Sequence, residues 1–256
     1  MNFQHQTAHN FIYFATHMAN FNFRSGGLDL LPEVVKNLLI INGLFFLATY
    51  VAGNRFGIDL NQILGLHFPG STDFKPYQII TYMFMHGNLT HLIMNMFALW
   101  MFGRNIENYW GGKRFLIYYI VTGLGAALIH YIVLYLSDLL PALNEIDRMH
   151  AAGAINDIDT YRTVLFDNVP PVVGASGAVF GILLAFGMMF PDQMIYLYFA
   201  IPIKAKYFVI LYGLIELSAG IYNSEADNVA HFAHLGGMLF GFLLIKYWQR
   251  NRYRYQ

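Results

Sequence analysis

Six stretches of this chain, at 34–53, 82–102, 115–136, 172–190, 206–221 and 229–248, stay mainly apolar over about the 20 residues that an α-helix needs to cross a bilayer. A water-soluble domain has no room to bury so many helices that are apolar on every side. Of the 256 residues 57% are hydrophobic and only 12% charged, half the roughly 25% of an ordinary soluble domain, and the charges cluster between the stretches. This pattern excludes a disordered tail, a coiled coil and a cytosolic enzyme of usual composition. Lys+Arg and Asp+Glu both number 15 and form no basic stripe, which argues against a nucleic-acid partner. With no cysteine there is no disulfide framework, thiolate zinc site or thiol nucleophile. The chain reads as an all-α membrane protein of six transmembrane helices in a lipid bilayer, with a long loop after the first span and another after the third.

Basic residues set the orientation, because cytoplasmic loops carry the excess of Lys and Arg. Arg55, Lys75, Arg148 and Arg162 fall on one side of the six-span topology, and the other eleven of the 15 fall on the opposite side, with both termini. Both termini are therefore expected in the cytoplasm, and a bacterial inner (plasma) membrane is the expected setting. Residues 1–31 are Phe-rich and show neither a signal-peptide order nor an Arg-rich transit bias, so they read as an interfacial or short soluble segment. The membrane domain is expected over 32–249 and a basic cytoplasmic tail over 250–256, with no internal repeat. Glu107, beside Arg104, Lys113 and Arg114, reads as part of a structural ion-pair cluster at the cytoplasmic boundary.

Polar groups are costly inside lipid, so an ionisable residue within a span marks a candidate functional site. Three spans carry such groups near the same, non-cytoplasmic end. The second span has His86, His91 and Asn95, the fourth starts Gly174-Ala175-Ser176-Gly177, and the sixth starts His231-Phe232-Ala233-His234. A hydroxyl, an imidazole and a His/Asn pair are the parts of a nucleophilic site. Ser176 at a helix start would lie among free backbone N–H groups and the positive end of the dipole, which favour a developing oxyanion. His234 is the base suited to it at neutral pH, with His231, one turn earlier, as the rival. Gly237 and Gly241 follow His234 at helical spacing and let another backbone come close. His91 and Asn95, at i and i+4, share a helix face and can both donate to a negative oxygen. Each has a plainer reading as helix packing or interhelical hydrogen bonding, and only their convergence on one depth favours chemistry. His86 reads as tying down the loop above the site. No Asp or Glu stands near that end to orient the imidazole, whereas Phe180, one turn below Ser176, could stack on His234, so a two-residue dyad is expected. Glu216, inside the fifth span, has no obvious cation.

The stretches His86-Gly87-x3-His91-x3-Asn95-Met96, Gly174-Ala175-Ser176-Gly177 and Ala233-His234-x-Gly-Gly-x3-Gly241 together resemble those of the rhomboid intramembrane serine proteases. Gly103-Arg104-Asn105-Ile106-Glu107 leading to Trp110-Gly111 is a weaker match. The resemblance implies a six-helix bundle and an endopeptidase acting on transmembrane segments of other proteins, without a metal or cofactor. It implies Ser176 as nucleophile, His234 as base and acid, and His91, Asn95 and the Ser176 amide as oxyanion donors, in a water-filled cavity open to the outer side. Phe180 stands where many members have Tyr. Competing readings are an inactive rhomboid-like protein that binds membrane clients, a transporter lined by polar residues, and a zinc hydrolase built from His86, His91, His231 and His234. The oligomeric state is not legible.

Overall fold

The computed structural model describes residues 31–197, 201–222 and 225–252, within a packed unit that begins at Pro32. The N-terminal segment expected over 1–31 lies, Leu31 apart, outside the described residues, as do 253–256 of the basic tail.

Helix α1, Glu33–Phe56, follows Pro32 and ends at Gly57, whose φ of 66° lets the Ile58 N–H return to the Ala52 carbonyl. Its first-turn N–H groups have no intrahelical acceptor. Val34 and Val35 donate theirs to the two carboxylate oxygens of Glu107 at 2.9 and 2.7 Å. Glu107 is therefore a buried cap for another helix. Among the described residues no ion pair joins it to Arg104, Lys113 or Arg114, which corrects the ion-pair reading. Only Val35, Leu38 and Asn42 of α1 are buried, while Ile40, Leu44, Leu47 and Val51 stand exposed. Such a surface needs apolar surroundings.

Among the described residues four helices are long and apolar enough to cross a membrane: Glu33–Phe56, Gly112–Ala151, Ala205–Tyr222 and Val229–Arg250. The fourth expected span is a shorter apolar helix, Ser176–Met189. The second is broken. Short helices α2, Leu60–Leu64, and α3, Gln78–Thr81, precede a 3₁₀ turn at Tyr82–Phe84 and an extended Met85. Helix α4, Leu89–Ala98, then starts on Asn88, whose side chain accepts from the His91 N–H at 2.8 Å. A π turn, Leu99–Gly103, joins α4 to α5, Arg104–Trp110. Gly87-Asn88 is thus a helix start inside the expected span, because an Asn side chain supplies the acceptor that a fresh helix lacks.

The loop expected after the third span is largely helical. Helix α6, Gly112–Leu134, runs on through a π turn at Tyr135–Leu139 into α7, Leu140–Ala151. Pro141 lacks an N–H and its ring crowds the carbonyl four residues back, and the wider π turn absorbs both defects without ending the helix. Helix α8, Ile158–Asp167, follows, and the Asp167 carboxylate accepts from the Ser71 hydroxyl and the Thr72 N–H, both at 2.8 Å. This ties α8 to the loop between α2 and α3. Within that loop the buried Gln78 amide accepts from the His67 and Lys75 N–H groups and donates to the Ile63 and Asp73 carbonyls. The loop is thereby fixed, and Leu66 pairs with Val172 through two 2.9 Å backbone bonds.

After α9, Ser176–Met189, strands β1, Met194–Leu197, and β2, Ile201–Lys204, pair antiparallel with Met194 opposite Lys204. The hairpin leads into α10, Ala205–Tyr222, and the chain continues as α11, Glu225–Arg252, which runs past the boundary expected at 249. Helices α6, α9 and α11 pack through small residues. A Cβ on Gly181 would strike Thr122, on Gly236 Ile129, and on Gly177 the Ala126 side chain. Below them Phe115, Tyr118, Tyr119 and Ile182 are fully buried, and the Tyr118 hydroxyl donates to the Gly181 carbonyl at 2.8 Å.

Candidate active site

Ser176 is the first residue of α9. The Leu66–Val172 bridge fixes the approach, the Gly174 N–H donates to the Tyr82 carbonyl at 2.9 Å, and Gly174 turns the chain with φ 132°. That angle lies where side chains are strained. Space at Gly174 is also closed: a Cβ there would lie 2.8 Å from the His91 ring and 3.7 Å from the Ser176 hydroxyl oxygen. The His91 ring therefore lies against the turn that leads into Ser176. Asn95, one turn on, is buried, and its Nδ2 has no hydrogen-bond partner among the described residues.

His234 brings Nε2 to 2.9 Å from the Ser176 oxygen, from a different helix. What allows this is Gly237 in α11, which lies directly on the Gly177 carbonyl of α9, leaving no room for a side chain. Gly241, one turn further, faces the Tyr118 hydroxyl equally closely. The Phe180 ring stacks on the His234 imidazole, with centroids 4.1 Å apart and planes 6° from parallel. The Tyr212 ring of α10 lies tilted beside Phe180, with centroids 5.6 Å apart. His86 is buried, lies against the Phe84 carbonyl at 3.4 Å and meets the His91 ring edge-on at 5.1 Å.

One expectation fails. An acid does reach the imidazole: Glu216 Oε2 lies 2.9 Å from His234 Nδ1 and 2.7 Å from His231 Nδ1. His231, the rival base, is thus turned to the carboxylate while His234 faces the serine. The cost of a carboxyl in an apolar helix was the only sign of Glu216 in the sequence. Its partners sit on the next helix, 15 and 18 residues away, a separation that no local spacing rule relates. Of the four histidines weighed as a zinc set, the His86 and His91 rings meet at 5.1 Å and the His231 and His234 rings at 6.4 Å. Among the described residues the group able to hold a metal ion is Glu216, His231 and His234, with ligand atoms within 4.8 Å of one another.

The family description "Rhomboid domain" matches residues 73–251. RHOMBOID-like protein 12, mitochondrial, of Arabidopsis thaliana is 28% identical over 87% of this chain and 60% of its own length. Rhomboid protein 1, mitochondrial, of Saccharomyces cerevisiae is 29% identical over 64% of this chain and 40% of its own length. Rhomboid protease AarA of Providencia stuartii is 30% identical over 63% of this chain and 52% of its own length. The chain thus spans about half the length of these relatives. Their names include mitochondrial proteins, so they do not favour the bacterial membrane expected from the sequence. A multi-pass integral membrane protein is the setting that fits both the match and the long apolar helices.

Proposed function

Because the chain belongs to the rhomboid family, we propose that it is an intramembrane serine endopeptidase that cuts other membrane proteins in or near their transmembrane segments. The observation that carries this reading is the 2.9 Å approach of His234 Nε2 to the Ser176 hydroxyl from two separate apolar helices. His234 takes the hydroxyl proton as the oxygen attacks a substrate carbonyl. The tetrahedral oxygen is held by His91, Asn95 and the Ser176 N–H. His234 then protonates the leaving amine, and water repeats the cycle on the acyl-enzyme.

The proposed membrane arrangement has six crossings: α1, the broken 82–102 segment, α6, α9, α10 and α11. Both termini lie on the side rich in Lys and Arg, taken as the cytoplasm. Helix α9, with 14 residues, is about 21 Å long, short of the roughly 30 Å hydrocarbon core. With its C-terminal end near Lys204 and Lys206 at the cytoplasmic boundary, Ser176 falls about 9 Å below the opposite one. That depth supports a reaction within the bilayer. His231 and His234 keep 24% and 21% of their side-chain exposure, which supports access of water to the base. The presence of both Ser176 and His234 supports the protease reading over an inactive client-binding one.

Ser176→Ala is the test. The purified variant should fold and insert but no longer cleave a transmembrane substrate in proteoliposomes. A fluorophosphonate probe should label the unaltered protein at Ser176 and leave the variant unlabelled. Cleavage retained by the variant would remove Ser176 from the chemistry.

A further inference from the structure

We propose that Glu216 is a positioning residue for His234, so that α9, α10 and α11 each supply one member of a Ser176–His234–Glu216 row. The proposal rests on the protease reading above. Oε2 of Glu216 faces two imidazole nitrogens, Nδ1 of His234 at 2.9 Å and Nδ1 of His231 at 2.7 Å. An ionised Glu216 only accepts hydrogen bonds, and in that state both Nδ1 atoms carry the proton. A neutral imidazole protonated at Nδ1 has its lone pair on Nε2, and Nε2 of His234 is the atom 2.9 Å from the Ser176 hydroxyl. Without the acid, the opposite tautomer would aim an N–H at the serine and could not take its proton.

Burial makes the arrangement selective. Glu216 is 7% exposed, while its chain neighbours Ile215 and Leu217 are exposed on the apolar surface of α10. A carboxylate there needs donors, and two histidines on the adjacent helix supply them. When Ser176 attacks, its proton passes to His234 Nε2. The Nδ1 proton stays on its nitrogen, Glu216 stays unprotonated, and the new imidazolium lies against a negative charge. His231 then holds the carboxylate in place while His234 changes charge. A metal ion fits the same atoms less well: tetrahedral zinc with bonds near 2.0 Å keeps its ligands about 3.3 Å apart, wider than the 2.7 and 2.9 Å found here.

The test compares unaltered protein with Glu216→Gln and Glu216→Asp in detergent micelles, reading fluorophosphonate labelling rate, kcat and KM. Loss of the charge should slow labelling and kcat by about 100- to 10,000-fold, with KM little changed. Glu216→Asp should recover part of the rate. Labelling of Glu216→Gln at the unaltered rate, or an effect confined to KM, overturns the proposal. A rate lost to a chelator and restored by zinc overturns it too, making the carboxylate a metal ligand. Nitrogen-15 shifts of His234 in the unaltered protein give a reading that needs no variant: Nδ1–H is expected, and a resting Nε2–H form overturns the proposal. Should the unaltered protein itself fail to label at Ser176, the protease reading falls first and is recognised separately.

Discussion

Gly237→Ala tests the claim that backbone contact between α9 and α11 sets the reactive distance. An ideal Cβ at 237 would lie 2.8 Å from the Gly177 carbonyl carbon and 3.3 Å from its Cα. Carbon atoms rest at about 3.5–4.0 Å, and the Cβ would press harder still on the Gly177 carbonyl oxygen, so the helices must part by about 1 Å or more. Ser176 precedes Gly177, and His234 lies one turn before Gly237, so the shift falls on the reactive pair. Their 2.9 Å separation would open to about 4 Å, beyond hydrogen-bond range. A misplacement near 1 Å costs about 100-fold in rate, and overpacking costs about 1–3 kcal/mol of stability. The assay is kcat on a transmembrane substrate, with thermal unfolding in the same detergent. Gly43→Ala is the control, because nothing lies within 4 Å of a Cβ there. It should leave kcat unchanged and gain up to about 1 kcal/mol from helix propensity. A Gly237→Ala variant with unaltered kcat would refute the reasoning, since the methyl would then fit without moving the base.

Asn95→Ala should lower kcat by about 100- to 1,000-fold while the unfolding temperature changes little, because Nδ2 makes no hydrogen bond within the described fold. Glu107→Gln should cost about 1–3 kcal/mol in thermal unfolding, since one of the two α1 N–H groups that the carboxylate receives loses its acceptor. Asp167 is held below the usual carboxylate range, chiefly by the Thr72 N–H and then the Ser71 hydroxyl. A group depressed in the folded state contributes stability above its unfolded pKa, about 3.9, that is lost as pH falls through the lower folded value. Asp167→Asn should therefore flatten the acid limb of stability, read by hydrogen exchange in residues 68–74 as pH falls from about 5 to 2.

The apolar stretches made the helical membrane class legible, and residues at fixed local spacing were legible too: Ser176 at a helix start, and His91 with Asn95 on one face of α4. Such features follow from the rise and twist of a helix, which a sequence carries in full. Helix breaks were less visible. Asn88 and Pro141 act by hydrogen bonding and sterics on their own turns, yet whether the chain stops or absorbs them depends on what packs alongside. Asn88 opens a new helix within the second stretch, whereas α6 passes Pro141 through a π turn.

What the sequence determined alone was the solvent this chain needs and the inventory of reactive groups. Only the tertiary structure decided which histidine meets the serine and which carboxyl meets the histidines. Glu216 joins His231 and His234 because α10 and α11 lie side by side, and His234 reaches Ser176 because Gly237 lets α11 touch the α9 backbone. Hydrogen bonds act over about 3 Å, and distances that small between residues far apart in the chain exist only once whole helices have packed.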